Sequence, residues 1–489
     1  MKLPSLCPEV PASRPAVRAA GIALTLAALA SCGPSGPELP RHDSVLLVTY
    51  DTVRADHFGS YGYPLDITPN ADSLAERGIV FERVWAPMGM TLPSHATMMS
   101  GVSPRVHGAL ENYYTMSDEV LTLAEHFRAK SYATGGFVGA AVLDQGSGIS
   151  QGFRKFGQPG FKSDDGSVVS EGLLRRPARE VNNEALAWLD EVHPDRPFFM
   201  WVHYFDAHGP FFPPQSSLDL VESGGLVERV LEPRAEEFTD LDLPAQALSG
   251  LWTRYAADIH ATDTSGLGAL LAELGGRGRL DETWVFLTTD HGEGLWEHGE
   301  RGHGPTVFEE QLRVPLIIAS PRGDWAGTRT DEPVHLIDLM PTVIHAASGE
   351  EASVGEGVDL LAWLERGAVP LDRALFVERP HYTKKSLVAL STKSKDHYIY
   401  GIVTAVIQGN EKFVIGTDGA AELYDLAADP MEHTNLVDER PERAAELRQL
   451  LEAHLAENPT LPPGQRPAVS ESRRAALEEL GYGGGEEDD

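Results

Sequence analysis

With 489 residues, 42% of them hydrophobic, the chain is long enough to bury a large core and reads as one big domain with a smaller companion. Its 73 acidic against 40 basic residues give a formal charge of -33, which repels a nucleic-acid backbone and favours metal ions as charged partners. Cys7 and Cys32 are the only cysteines, so the body of the chain has no disulfide framework.

At the N-terminus, Lys2, Arg14 and Arg18 precede the apolar run AGIALTLAALA, too short to span a bilayer and shaped like the core of a signal peptide. The run ends in LASCG, which resembles the bacterial lipobox, whose cysteine is lipidated and becomes the mature first residue. Residues 1–31 are therefore expected to be a lipoprotein signal peptide, and residues 32–43, with GPSGPELPRHD after Cys32, a Pro/Gly tether. An ordinary cleaved signal with an incidental cysteine is the alternative. The first reading predicts an extracytoplasmic protein, in the periplasm or at the cell surface, held to a bacterial membrane by a lipid on Cys32.

From Ser44 the pattern becomes α/β. The runs VLLVTY, FFMWVHYF, WVFLTT and VPLIIA predict buried strands of a mostly parallel sheet. Between them NADSLAERG predicts a helix with Asn70 as N-cap and Gly78 as stop, and TDTSGLGALLAELGGRG a second one ending in glycines. The stretch FFPPQSSLDLVESGGLVERVLEPRAEEFTDLDLPAQ is acidic and broken by prolines, and reads as a lid or a solvated insertion. RRPARE reads either as a steering patch for an anionic substrate or as a charged turn. Residues 459–489 form a tail expected to be partly disordered.

Polar residues cluster after three of the predicted strands, the end at which open α/β sheets bind ligands. Asp51 follows VLLVTY, FFMWVHYF carries His203 and precedes Asp206 and His208, and WVFLTT runs into Asp290 and His291. Asp51, Asp290 and His291 make a first set of ligands for a divalent cation. Two carboxylates with one imidazole suit zinc or manganese better than calcium, which remains an option. In TLPSHATMMSG, Pro93 fits a first helical turn and Gly101 a stop, which sets Thr91 near a helix N-terminus. Beside the cation, Thr91 becomes both a ligand and an activated nucleophile; its bland alternative is an N-cap.

Several blocks, in order, resemble the sulfatase family of the alkaline phosphatase superfamily. VLLVTYDTVRADHFGSYGYPLDITPNADSLAERGIVFERVWAP is similar to its opening block, TLPSHATMMSG to its nucleophile block and TTDHGEGLWEHGERGHG to its second metal block. RVPLIIASP, HLIDLMPTVI and ELYDLAADPMEHTNL resemble the blocks that follow, so the likeness runs from about Ser44 to about Asn458. It implies a doubly wound sheet flanked by helices over residues 44–365, and a smaller subdomain over 366–458 with an antiparallel sheet and a packing helix.

The departures from the family carry the functional expectation. Sulfatases begin the nucleophile block with CxPxR or SxPxR and oxidise the first residue to formylglycine; here it reads TLPSH. Threonine cannot give that aldehyde, because its β-carbon bears a methyl group. His95 stands at the arginine position, Thr52 replaces a second aspartate, and GGFVGA replaces GKWHLG, so Gly136 and Val138 stand where a lysine and a histidine polarise formylglycine. The resemblance places His208 and His303 on the leaving-group side as catalytic residues, and Asn112 where phosphodiesterases hold a non-bridging oxygen. His95 and His203 join Asn112 as expected substrate-binding residues. Asp206, His208 and His303 as ligands of a second metal are the less favoured alternative.

The sequence thus predicts a metal-dependent hydrolase of phosphate mono- or diesters, or phosphonates, acting through a Thr91 adduct. Its substrate would be an anionic ester, whether small molecule, glycan or lipid headgroup. The alternatives are a sulfatase working without formylglycine and a catalytically silent surface-binding lipoprotein.

Overall fold

The four apolar runs form strands, because β-branched and aromatic side chains fit a pleated surface covered on both faces. A computed structural model describes residues 43–159, 175–238, 243–367, 373–382, 399 and 401–460; the signal segment, Cys32 and the tail past residue 460 lie outside them. In chain order the strands are β1 (Ser44–Tyr50), β2 (Ile79–Trp85), β3 (Ala133–Val138), β4 (Lys155–Gly157), β5 (Phe198–Tyr204) and β6 (Thr283–Thr289). There follow a short hairpin of β7 (Gly294–Leu295) and β8 (Arg301–Gly302), then β9 (Arg313–Ala319) and β10 (Thr328–His335).

The large sheet has 8 strands in the order β10-β2-β9-β6-β1-β5-β3-β4. β9 pairs antiparallel with both β6 and β2, and the other pairings are parallel. Helices and loops cover both faces and close two large apolar clusters, one around Leu46, Val48 and Val202, the other around Val45, Leu47 and Trp201. The alternation of β1 between these clusters is the two-residue period of a strand buried on both sides.

A second sheet, β11 (Ala374–Tyr382), β12 (Gly401–Gln408), β13 (Glu411–Gly416) and β14 (Ala421–Asp425), is antiparallel with 4 strands in sequence order. The helix Pro441–Glu457 packs Leu447 and Leu451 on one face of it, while Trp85 and Leu312 meet the other.

Two local expectations change. The helix over NADSLAERG spans Pro69–Glu76 with Thr68 at its N-cap, because Pro69 takes the first helical position; the Asn70 side chain turns instead to Asp263, its Nδ2 2.9 Å from Oδ2. The acidic insertion is not merely a solvated loop. It forms the helix Gln215–Ser223 and the helical stretch that follows, and Val221, Leu226, Val230 and Leu231 enter the core. No helix among the described residues is long and apolar enough to cross a membrane.

Candidate active site

Three neighbouring parallel strands, β5, β1 and β6, end together, and each delivers a polar side chain at its carboxyl end. Thr49 of β1 is in register with His203 of β5, and Tyr50 with Thr289 of β6. Asp51 then follows β1, held by a hydrogen bond from its N–H to Tyr204 O (2.9 Å), and Asp290 follows β6, its N–H reaching Tyr50 O (3.3 Å). Asp51, Asp290, His291 and His203 are all fully buried.

The Asp290 carboxylate is anchored on one side only. Its Oδ1 accepts from the backbone N–H of His291 (2.8 Å) and of Thr52 (3.1 Å), whereas Oδ2 has no hydrogen-bond partner. Thr52 donates from a left-handed backbone, φ 59°, unusual for a β-branched residue, and Tyr255 clamps its carbonyl at 2.7 Å. Its hydroxyl faces away, donating to Asp51 O at 2.7 Å. At the position of the family's second aspartate, the chain therefore uses a backbone N–H to aim Asp290.

His291 has a defined tautomer. Its Nδ1 lies 2.9 Å from Gly292 O, and a carbonyl only accepts, so Nδ1 carries the proton and Nε2 presents a lone pair. Residue 292 must be glycine, since a β-carbon there would stand 2.1 Å from Glu310 O. The Nε2 of His291 is 3.4 Å from Asp290 Oδ2 and 3.3 Å from the Oγ1 of Thr91.

Thr91 is the first residue of the helix Thr91–Ser100, and Met90 before it has the extended N-cap conformation. The threonine does not cap the helix; its hydroxyl faces His291 and neighbours Asp51. The capping acceptor is the Oδ1 of Asn112, 2.9 Å from Leu92 N. Gly101 ends the helix with φ 65°.

The remaining histidines divide by their partners. His95 is saturated: Nδ1 donates to Thr91 O (2.8 Å) and Nε2 meets the Thr49 hydroxyl (3.0 Å), which also takes the indole N–H of Trp201. His203 has Nε2 3.2 Å from Asp51 Oδ2, and neither ring nitrogen makes a hydrogen bond. His208 and His303 form a facing pair. Their Nδ1 atoms donate to Gly209 O (2.6 Å) and Gly89 O (3.0 Å), and their Nε2 atoms stand 3.2 Å apart. Two neutral rings would oppose lone pairs there, so the contact closes as a hydrogen bond only around one added proton.

Burial dominates the electrostatics. It lifts the Asp51 carboxyl well above its usual range against the pull of Thr91 and Arg175, and with the Asp51 charge it pushes Asp290 up to about 7. Burial also depresses the imidazoles, His291 and His203 to about 4, His95 and His303 to about 3. The cluster therefore holds two carboxyl groups and neutral rings but no cation of its own.

That donor set fits a divalent metal ion. Asp51, Asp290 and His291 each bring a ligand atom within 4.8 Å of the others, and His95, His203 and Asp290 form a second such group. In the first, both Asp51 oxygens and Asp290 Oδ2 are orphaned and buried, a costly state that a cation relieves. In the second, His95 is saturated, but His203, whose ring nitrogens make no hydrogen bond, adds a candidate metal donor in place of the substrate-binding role expected from the sequence. Asp206 is turned away, both its oxygens accepting Ala178 N at 3.1 and 2.9 Å, so it joins neither group.

The segment GGFVGA completes the picture. A β-carbon at Gly136 would lie 2.9 Å from the Phe156 ring, and Val138 is fully buried in an apolar cluster. Neither position carries the lysine or histidine that the resemblance would place there.

Comparison with known proteins agrees with this architecture. The family described as Sulfatase matches residues 43–349. Arylsulfatase A of Bos taurus is 27% identical over 87% of this chain and 88% of its own length. The uncharacterized sulfatase YidJ of Escherichia coli (strain K12) is 26% identical over 82% and 84%. Among solved structures, the phosphonate monoester hydrolase of Agrobacterium radiobacter superposes with a TM-score of 0.66 at 21% identity, covering 85% of this chain and 96% of its own.

Proposed function

The chain belongs to the sulfatase family, and on that premise we propose that it hydrolyses phosphate mono- or diesters, or phosphonates, through a covalent adduct on Thr91. The observation that carries this reading is the Thr91 hydroxyl 3.3 Å from His291 Nε2, among buried carboxylates that lack partners. Asp51, Asp290 and His291, with Thr91, are the residues that would hold the divalent cation, zinc or manganese ahead of calcium on their mixed oxygen and nitrogen donors. Such an ion acidifies a ligated hydroxyl and neutralises charge on the transferred group.

The protein's own groups then have distinct tasks. Thr91 supplies the oxygen that bonds to phosphorus as the ester oxygen departs; its hydroxyl proton would pass to solvent water, and one would return to Thr91 when water cleaves the adduct. The His208 and His303 pair, kept neutral by burial, would take up one proton between its Nε2 atoms to serve the leaving oxygen, and would recover one from the water that cleaves the adduct. Asn112, whose Oδ1 accepts from Leu92 N at the start of the Thr91 helix, is the residue we assign to a non-bridging oxygen. His95 acts by positioning, linking Thr91 O to Thr49.

Phosphorus is preferred to sulfur because threonine cannot become formylglycine and the polarising side chains at 136 and 138 are absent. Release of the adduct then needs a second displacement, which metal-assisted water performs at phosphorus. The sulfatase names of the curated relatives favour the second reading, sulfate ester hydrolysis without formylglycine. A substrate among glycans or lipid headgroups would suit a lipoprotein anchored through Cys32, which N-terminal peptide mass would test.

The deciding assay offers metal-loaded protein aryl phosphate monoesters, diesters, phosphonates and sulfates, beside Thr91→Ala. Turnover of the phosphorus esters and a loss of at least ~10³-fold in the variant are expected. Sulfate preference contradicts the reading, undiminished turnover in Thr91→Ala removes the nucleophile, and no turnover of any ester supports a silent binder.

A further inference from the structure

The rings around Thr91 form a row that leads outward. His291 meets Thr91, its ring is 4.3 Å from that of His303, His303 faces His208, and His208 stacks on Phe205 at 4.3 Å and 21°. On the same Phe205 ring sits the guanidinium of Arg175, its Cζ 5.6 Å from the centroid, and 5.9 Å from the ring of Phe212. Thr91 is fully buried and Phe212 is 76% exposed, so the row runs from the nucleophile to solvent past the leaving-group histidines.

Arg175 is held in place without being neutralised. It pairs with Ala140 as an isolated bridge, just past the end of β3, where the GGFVGA segment has lost its basic side chains. Its Nη1 donates to Pro210 O (3.2 Å) and its Nη2 to Gly209 O (3.3 Å), two of five guanidinium donors. Among the described residues it forms no ion pair with a carboxylate. Two of the aspartates that feel its charge are engaged elsewhere, Asp206 by Ala178 N and Asp258 by Phe212 N at 2.8 Å. Its neighbour Arg176 behaves differently, pairing with Glu184 at 2.7 Å. The field of Arg175 also reaches Asp51 and His208.

We propose that Arg175, with the exposed ring of Phe212, selects esters whose leaving group carries an anionic group of its own, received by the guanidinium at the outer end of the row. This deepens the reading of Thr91 as nucleophile and His208 with His303 as the leaving-group pair, and rests on it. In a protein of charge -33, an anionic substrate otherwise meets repulsion on approach. A fixed guanidinium beside an apolar face suits a carboxylate or acidic ester borne on a flat or sugar-like body.

The test uses two aryl esters with leaving groups matched in acidity, one bearing a ring carboxylate. The ratio of their kcat/KM values is expected to fall about tenfold in Arg175→Gln, through KM, with part of it restored in Arg175→Lys. Calorimetric binding of the same two esters to Thr91→Ala, with and without Arg175→Gln, reads the preference without turnover. The preferred ester class decides the reaction, whereas the carboxylate ratio within a class decides Arg175, so the two readings fail separately. An unchanged ratio, both esters weakening together as a grip on the transferred group would produce, or no preference in binding overturns the inference. Esters of an acidic sugar and of glycerol phosphate then distinguish a glycan from a lipid headgroup, and preference for either over a neutral analogue supports it.

Discussion

Of the buried charge clusters among the described residues, the one around Lys412 contains its own cation and the one around Asp51 does not. Between the large sheet and the C-terminal sheet, Lys412 is fully buried, with Nζ 2.8 Å from Glu432 and 3.1 Å from Glu309; Glu309 also accepts the indole N–H of Trp85 at 2.8 Å. Beside it the His298 Nδ1 lies 2.8 Å from Glu310, and its ring stacks on Phe308 at 3.8 Å. At the strand ends, Asp51 and Asp290 are buried as deeply, with neutral imidazoles and no cation. Burial imposes the same desolvation on both, so the difference lies in who supplies the partner. The first cluster is closed by the chain and holds two sheets together. The second is left for an ion, at the site to which we assign the chemistry.

The largest effect that would break this contrast is at Asp290. Asp290→Asn should remove both bound cation and turnover, by at least ~10³-fold, with the fold kept; metal content and activity measured on one preparation check it. Retained cation would place the ion elsewhere.

Lys412→Met is the opposite case. It strands Glu309 and Glu432 in the interior and should cost about 3–5 kcal/mol of stability in denaturant unfolding, while leaving metal content unchanged. A loss of metal with it would mean that the two clusters are not separate.

Chelation should act on the open cluster alone. A cation at 100 times its Kd adds about 2.7 kcal/mol, so a chelator should lower Tm in the native protein and not in Asp290→Asn. Calorimetry of both proteins gives the comparison.

The closed cluster has a pH signature of its own. Burial pushes His298 down, but the Glu310 carboxylate outweighs it and lifts the imidazole to about 9. A folded-state value above the unfolded one, about 6.5, stabilises the fold fully below that pH and is lost as pH rises through about 9. His298→Gln should flatten this slope, worth on the order of 3 kcal/mol, in unfolding curves taken from pH 6 to 10.

The sequence makes the open cluster legible because its members follow recognisable strands. VLLVTY and WVFLTT end at Asp51 and Asp290, and the two-residue period with parallel pairing brings those ends together. What it hides are contacts made across the fold. The cap on the Thr91 helix comes from Asn112, 20 residues away, and the aim of Asp290 from Thr52, 238 residues away. His203 could be placed on a strand but not beside Asp51, since that depends on the register of β1 with β5. The acidic insertion misleads because its few apolar residues, Val221, Leu226, Val230 and Leu231, turn inward together only once the helices form. The closed cluster leaves no local pattern, as Glu309, Lys412 and Glu432 come from three separate elements.

The most direct test of the account is to quench metal-loaded protein during turnover of an aryl phosphate and map the adduct by peptide mass. A phosphoryl group on Thr91, absent after chelation and absent in Thr91→Ala, is the predicted result. Steady turnover with Thr91 unmodified, or continued turnover by Thr91→Ala, would contradict it.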